Sequence, residues 1–209
     1  ERLTSLVANW MRIGYCQGNF NSDNCAAGGF TLDYGPFGFC ELFDPRFQPW
    51  TGGGEHFAFF NQKVAAEANY QMFWGALRPL LTGNEESLDK LDSIRDGFTT
   101  VMNQKMEKMW TKKLGLVSYD APLVNEMLQL MVYTKVDYTI FFRKLSNIPN
   151  KFTDLNDCFY LPISEEIETK WISWLQRWRK LLINTGDQNE VSAKMKLINP
   201  KYTWREWLI

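Results

Sequence analysis

Oxygen-bearing side chains are concentrated in a short stretch near the amino terminus. Residues 18–24 read Gly-Asn-Phe-Asn-Ser-Asp-Asn, and an Asp-Tyr-Gly triplet at residues 33–35 begins ten residues after Asp23. Enzymes of phosphoryl and nucleotidyl transfer hold magnesium with a few carboxylate or amide oxygens, and the ion keeps several waters. Asp23, Asn24 and Asp33 are therefore candidate metal ligands, and a carboxylate among them is a candidate base.

The order of these residues is similar to that of protein kinases. There, a catalytic-loop Asp accepts the substrate proton, a loop Asn binds metal, and the Asp of an Asp-Phe-Gly triplet binds metal. Two departures argue against an ordinary protein kinase: Asp23 and Asn24 are adjacent, and the His-Arg-Asp triplet is absent. The alternative is a plain surface loop, because Asn, Asp and Gly all favour turns.

The heptapeptide Asp-Tyr-Gly-Pro-Phe-Gly-Phe at residues 33–39 makes the pattern more specific. Together with residues 18–24 in the same register, it resembles the selenoprotein O family. Shorter matches to that family follow in order along the chain, at residues 43–45, 61–62, 113–116, 137–139, 142–143, 145–146 and 199–202. The chain is thus similar to the carboxyl-terminal half of these proteins.

This resemblance implies a kinase-like fold that binds ATP in a reversed orientation and transfers AMP to Ser, Thr or Tyr hydroxyls of proteins. Asp23 would be the catalytic base, and Asn24 and Asp33 would bind Mg²⁺ (or Mn²⁺) and, through it, the ATP. The ATP-binding lobe, with its glycine-rich loop and Lys–Glu pair, is expected to precede Glu1. The isolated chain is therefore expected to bind ATP weakly and to be inactive.

Two other functions remain open at this point. A kinase-like fragment without activity would serve as a structural or interaction module, and a phosphotransferase would use the same metal ligands. Gln17 also stands where many relatives have His, although it is not one of the three oxygen ligands. The family is mitochondrial in eukaryotes and cytoplasmic in bacteria, so the resemblance implies one of these two compartments.

Composition excludes several other classes. The formal net charge of −1 provides no electrostatic argument for nucleic acid or an anionic membrane. No apolar run approaches the roughly 18 residues of a membrane span. The four cysteines form no Cys-x-x-Cys pair and there is one histidine, so a zinc site is not expected. Buried thiols are expected instead, with a disulfide involving Cys16 or Cys25 as the alternative.

Hydrophobic periodicity predicts the elements that carry this loop. Residues 1–60 are predicted to form a catalytic and metal-binding loop region, with a turn at Gly28-Gly29 that enters a short strand. Residues 61–209 are predicted to form a helical body continuous with it, so the fold class is mainly α with a small β-hairpin, resembling a kinase C-lobe.

Four helices are predicted in this body. The first starts near Gln62 and buries an apolar face that includes Val64, Met72 and Phe73. The second ends at residues 112–115 with lysines in its last turn. The third runs from Pro122 to Phe142. The fourth follows Ser164 and carries a tryptophan stripe, predicted to be core.

Overall fold

The computed structural model describes residues 1–183 and 186–205, which form a helical body with a small sheet. The helices are α1 Arg2–Ile13, α2 Gln62–Leu77, α3 Glu85–Asp96, α4 Phe98–Lys113, α5 Ala121–Thr134, α6 Tyr138–Leu145, α7 Glu165–Ile183 and α8 Gln188–Ile198. The strands are β1 Tyr15–Gln17 and β2 Phe37–Phe39, and a short 3₁₀ turn spans Ser22–Asn24. The predicted mainly α fold with a small hairpin is confirmed.

The two strands pair antiparallel, with Tyr15 opposite Phe39 and Gln17 opposite Phe37. A turn does occur at Gly28-Gly29, where Gly29 has a φ of 74° that favours glycine. The strand predicted to follow that turn is reduced to a single antiparallel bridge between Cys25 and Thr31. β1 follows α1 directly, so the pairing of β2 with β1 places residues 37–39 close to the end of α1.

Two of the predicted helices are broken. Gly97 separates α3 from α4, and Lys135, with a left-handed φ of 45°, ends α5 before α6 begins. Glycine is a weak helix former, which accounts for the first break. The second break lies at Lys135. Lysine is a good helix former, so neither its type nor the hydrophobic periodicity predicts a helix end there.

The predicted apolar face of α2 is mostly exposed, although Ala65, which was also predicted to lie on that face, is buried. Val64, Met72 and Phe73 are 61%, 66% and 45% exposed. The face that packs inward instead carries small and amide side chains, namely Gln62, Ala65, Ala66 and Asn69. Periodicity of apolar residues cannot recognise such a face, because its amides are buried by hydrogen bonding to backbone rather than by hydrophobicity.

The tryptophan stripe of α7 is core, as predicted. Trp171, Trp174 and Trp178 are fully buried. The Trp174 indole N–H donates to the Leu123 carbonyl and the Trp178 N–H to the Leu114 carbonyl, each at 2.9 Å. These bonds satisfy the indole N–H groups of Trp174 and Trp178 and join α7 to α5 and to the end of α4, whereas the Trp171 N–H has no partner among the described residues. Ser164 caps α7 by accepting from the backbone N–H of Ile167.

Lys113, at the end of α4, is buried rather than solvated, with 1% of its surface exposed. Its Nζ donates to the Arg12 carbonyl at 2.7 Å and to Asn199 Oδ1 at 3.0 Å. The same nitrogen lies 3.7 Å from the centroid of the Phe142 ring, a cation–π contact. Burial lowers the pKa of Lys113 well below its usual value, and the nearby Arg12 guanidinium adds to that effect.

The short matches spread along the sequence meet around this lysine. Asn199 donates from Nδ2 to the Lys113 carbonyl and to Ser146 Oγ. The Tyr138 hydroxyl donates to the Met11 carbonyl at 2.8 Å. The last carbonyls of α1 are therefore bound by side chains from α4 and α6, which satisfies groups that a helix end leaves open. The contacts fix the point where α1 passes into β1.

No helix among the described residues is long and apolar enough to cross a membrane.

Replacing Lys113 by Met should lower the free energy of unfolding by about 2 kcal/mol, because two buried acceptor oxygens would lose their donor. Urea denaturation of the purified protein measures the change. Lys112→Met is the matched control, since Lys112 is exposed one position away on the same helix. A Lys113→Met protein as stable as the control would contradict the assigned role.

The same variant predicts a pH dependence. Because the folded-state pKa of Lys113 lies below its usual value of 10.5, the unfolded chain binds more protons between the two values. The stability of the wild-type protein relative to Lys113→Met should therefore rise as pH rises through that window. A difference in stability that stays constant or shrinks would count against a lowered pKa.

Candidate metal and catalytic site

The loop of residues 18–24, which carries the first motif, packs against aromatic rings. Phe20 is fully buried, with its ring centroid 5.0 Å from that of Trp10. The Trp10 indole N–H donates to Thr31 Oγ1 at 3.0 Å. Trp10, on α1, therefore contacts both the loop that precedes Asp23 and the segment that precedes Asp33.

The Cys25–Thr31 bridge joins the two segments that carry the candidate ligands. Asn24 lies one residue before Cys25, and Asp33 lies two residues after Thr31. Because the pairing is antiparallel, the 3₁₀ turn with Asp23 and Asn24 leaves the bridge at the same end as Asp33. The backbone thus places all three predicted residues at one end of a small hairpin.

The side chains of this set suit a cation. Asn24 donates from Nδ2 to the Asn19 carbonyl at 3.1 Å, so that the side-chain oxygen of Asn24, Oδ1, is directed away from Asn19. Asp33 accepts the Gly35 backbone N–H on one oxygen, Oδ1. Within residues 1–183 and 186–205, neither Asp23 nor Asp33 forms an ion pair with a lysine or arginine.

The described part of the chain contains no cluster of three or more His, Cys, Asp or Glu side chains that could hold a metal. The candidate set has two carboxylates and one amide, so it lies outside that definition. Asp23 is exposed, and Asn24 and Asp33 are half-buried. Few protein oxygens and open access to water suit magnesium, which keeps several waters and shares its remaining positions with phosphates. The chemical types of these donor atoms are those that magnesium prefers.

The second motif is tied to the first through Gly18. Its backbone N–H donates to the Pro36 carbonyl at 2.8 Å. A Cβ at this position would lie 2.7 Å from that carbonyl oxygen and 2.9 Å from the Pro49 ring. Glycine is required here by close approach of the two backbones.

Tyr15 lies beside the same segment. Its hydroxyl donates to Gln17 Oε1, and its ring stacks on Phe37 at 5.6 Å. Burial raises the pKa of Tyr15, and the nearby charges of Tyr34, Cys16 and Asp33 raise it further. The phenol is thus held neutral, as a hydrogen-bond donor, next to the Asp-Tyr-Gly segment. Gln17, the departure from the family pattern, is buried; its Oε1 accepts the Tyr15 hydroxyl, and its Nε2 has no hydrogen-bond partner among the described residues.

Two residues of α2 that hold this region were not predicted: Asn69 contacts the loop that carries Asp23, and Gln62 contacts β1. The Asn69 side chain donates to the Phe20 carbonyl at 2.8 Å, and Gln62 bonds to the backbone of β1. The match at residues 61–62 was a signal for Gln62. For Asn69 there was none, because a single Asn within a helical pattern is not distinctive.

The cysteines are free thiols, and the predicted buried state holds for three of them. Cys16, Cys40 and Cys158 are buried, and Cys25 is half-buried. Burial raises the pKa of Cys16, of Cys40 and of Cys158 to about 12 in each case. Since the thiolate is the reactive form, these three groups are inert in the folded protein.

Comparison with known proteins agrees with the motifs. The family described as protein adenylyltransferase SelO matches residues 1–209. A protein nucleotidyltransferase YdiU of Aromatoleum aromaticum is 32% identical over 100% of this chain and 41% of its own length. Relatives of the same name from Flavobacterium johnsoniae and Albidiferax ferrireducens are each 32% identical, over 97% and 100% of this chain.

The relatives are nucleotidyltransferases by name, and the family is one of protein adenylyltransferases. The chain belongs to the SelO family. It spans about two-fifths of the length of the curated relatives that it matches.

Gly18→Ala should destabilise the protein by about 1–3 kcal/mol, because the new methyl group would force the Pro36 carbonyl away. Thermal unfolding measures the effect. Gly75→Ala is the control, since a Cβ at Gly75 of α2 meets nothing within 4 Å and should be neutral or stabilising. Equal melting temperatures for the Gly18→Ala variant and wild type would show that the two backbones are not in tight contact.

Titration with a thiol reagent at pH 8 should modify Cys25 first in the folded protein. Cys16, Cys40 and Cys158 should react only after denaturation, because they are buried and protonated. Cys25→Ser is the control and should remove the early reaction. Fast modification of more than one thiol in the native protein would contradict the assigned burial.

Proposed function

We propose that this chain is the magnesium-binding and acceptor-facing lobe of a protein adenylyltransferase. In this proposal the intact enzyme transfers AMP from ATP to Ser, Thr or Tyr hydroxyls of proteins. The observation that supports it is the antiparallel Cys25–Thr31 bridge, which puts the backbone of Asp23, Asn24 and Asp33 on the same side of the bridge. Membership in the SelO family supports the type of reaction.

Each of the three residues has a role in the proposal. Asp23 is exposed, so its carboxylate can reach a hydroxyl presented by another protein. As the hydroxyl oxygen bonds to the α-phosphorus and pyrophosphate leaves, Asp23 takes the hydroxyl proton. Asn24 and Asp33 would hold the magnesium ion, which when bound neutralises phosphate charge.

The position of the base follows from the loop that carries it. Asp23 lies in the Ser22–Asn24 turn, where the Asn24 backbone N–H donates to the Asn21 carbonyl at 3.0 Å. Because a 3₁₀ helix has three residues per turn, the side chains of consecutive residues such as Asp23 and Asn24 leave the backbone in different directions. In this proposal Asp23 can then accept the proton of the acceptor hydroxyl while Asn24 binds the metal ion.

ATP binding requires a second lobe in this proposal. The relatives are longer than this chain, which covers 41% of the Aromatoleum aromaticum protein. We place the glycine-rich loop, the Lys–Glu pair and the phosphate-binding arginines in the remainder of such a protein. The chain described here would supply the metal ligands and the base, and would bind ATP weakly without that lobe.

The test uses the protein that combines this chain with its ATP-binding lobe. Incubation with magnesium and ATP labelled at either the α- or the γ-phosphate should leave only the α-label on protein, with the mass increase of AMP. Asp23→Asn should lower the rate about 100-fold or more, the usual contribution of a general base. Asp33→Ala should lower it at least as far.

Asp89→Asn is the matched control, since Asp89 is exposed on α3 and away from the hairpin; its rate should equal that of wild type. Transfer of the γ-label would replace the proposal with phosphotransfer. Absence of either label, together with no effect of Asp33→Ala on any measured property, would favour an interaction module without activity.

A further inference from the structure

The buried face of α2 carries two amides, of which Gln62 contacts β1 and Asn69 contacts the loop that carries Asp23. Gln62 and Asn69 are seven residues apart, about two turns of helix, so they lie on the same face. They are 0% and 8% exposed. Buried amides are costly unless they are hydrogen-bonded, so their partners decide why they are there.

Gln62 bonds to β1 at two points. Its Oε1 accepts the Gln17 backbone N–H at 2.9 Å, and its Nε2 donates to the Tyr15 carbonyl at 3.0 Å. The primary amide therefore binds the strand through one donor and one acceptor, as a neighbouring strand would. The same Nε2 also donates to the Phe59 carbonyl at 3.1 Å, which fixes the side chain at the start of α2.

Asn69 bonds to the loop further along. Its Nδ2 donates to the Phe20 carbonyl at 2.8 Å, three residues before Asp23. The preceding carbonyl, of Asn19, accepts the side chain of Asn24. Two consecutive carbonyls thus connect a buried amide of α2 to the side chain of a proposed metal ligand.

We infer that Gln62 and Asn69, together called the amide clamp, are positioning residues for the metal site. The clamp holds the backbone of residues 15–20 at both ends, and through Asn19 it sets the orientation of Asn24. This inference rests on the proposed function for the role of Asn24, but the contacts of the clamp do not. Neither residue touches the metal or the acceptor.

The first arm of the test is independent of activity. In the full-length protein, Asn69→Leu keeps the branching and the number of side-chain heavy atoms and removes the donor. Hydrogen exchange of peptides covering residues 17–24 should become faster, while peptides from α5 and α7 should be unchanged. Binding of Mn²⁺, followed by electron paramagnetic resonance, should weaken about tenfold, as is typical when the support of a metal ligand is lost.

The second arm uses the reaction. Asn69→Leu should raise the magnesium concentration for half-maximal rate about tenfold and lower kcat, with KM for ATP nearly unchanged. Gln62→Met keeps the length of the side chain, removes its bonds to Gln17, Tyr15 and Phe59, and should change metal binding and kcat in the same direction. Thr134→Val is the control: it removes a buried hydrogen bond within α5, to the Leu130 carbonyl, and should change neither metal binding nor kcat.

The outcomes separate the two proposals. Unchanged exchange in residues 17–24 of Asn69→Leu would overturn the clamp. Faster exchange with unchanged Mn²⁺ binding would overturn its positioning role and leave a merely structural contact. Weaker Mn²⁺ binding in a protein that transfers no AMP would support the clamp while the proposed function fails.

Discussion

The end of α1 is the point on which the rest of the structure depends. Its last carbonyls, at Met11 and Arg12, accept hydrogen bonds from the buried side chains of Tyr138 and Lys113. A helix end needs such partners when water is excluded, and here they come from two other helices. Because β1 and the loop that carries Asp23 follow α1 within a few residues, a shift of this helix end would also move Asp23.

The buried lysine is an unusual way to make that connection. A charged amine without a carboxylate partner is costly in a protein interior, and the cost is offset by two carbonyl-type acceptors and the face of an aromatic ring. An apolar side chain would fill the space but could not bind two oxygens at once. The short family matches at residues 113–116 and 199–202 therefore describe one contact, not two separate features.

The mainly α fold and the tryptophan stripe could be predicted from the sequence, whereas the buried polar contacts that hold the loop region could not. The metal loop and the Asp-Tyr-Gly segment were visible because their residue types and spacing are specific, and the Trp171–Trp178 stripe because it repeats at helical spacing. The inward face of α2 was missed, since Gln62 and Asn69 are buried by bonds to backbone in β1 and the loop. The burial of Lys113 was missed for the same reason: its acceptors are 101 and 86 residues away along the chain.

Those long separations have a consequence for how the protein assembles. The partner of the Met11 carbonyl, Tyr138, is synthesised 127 residues after it, and Asn199 follows 86 residues after Lys113. Contacts between distant residues form slowly and only after the intervening chain has been made. The loop that carries Asp23 should therefore remain loosely held on the ribosome until α6 and the segment after α8 have emerged, so that its final position is reached only after most of this chain has been made.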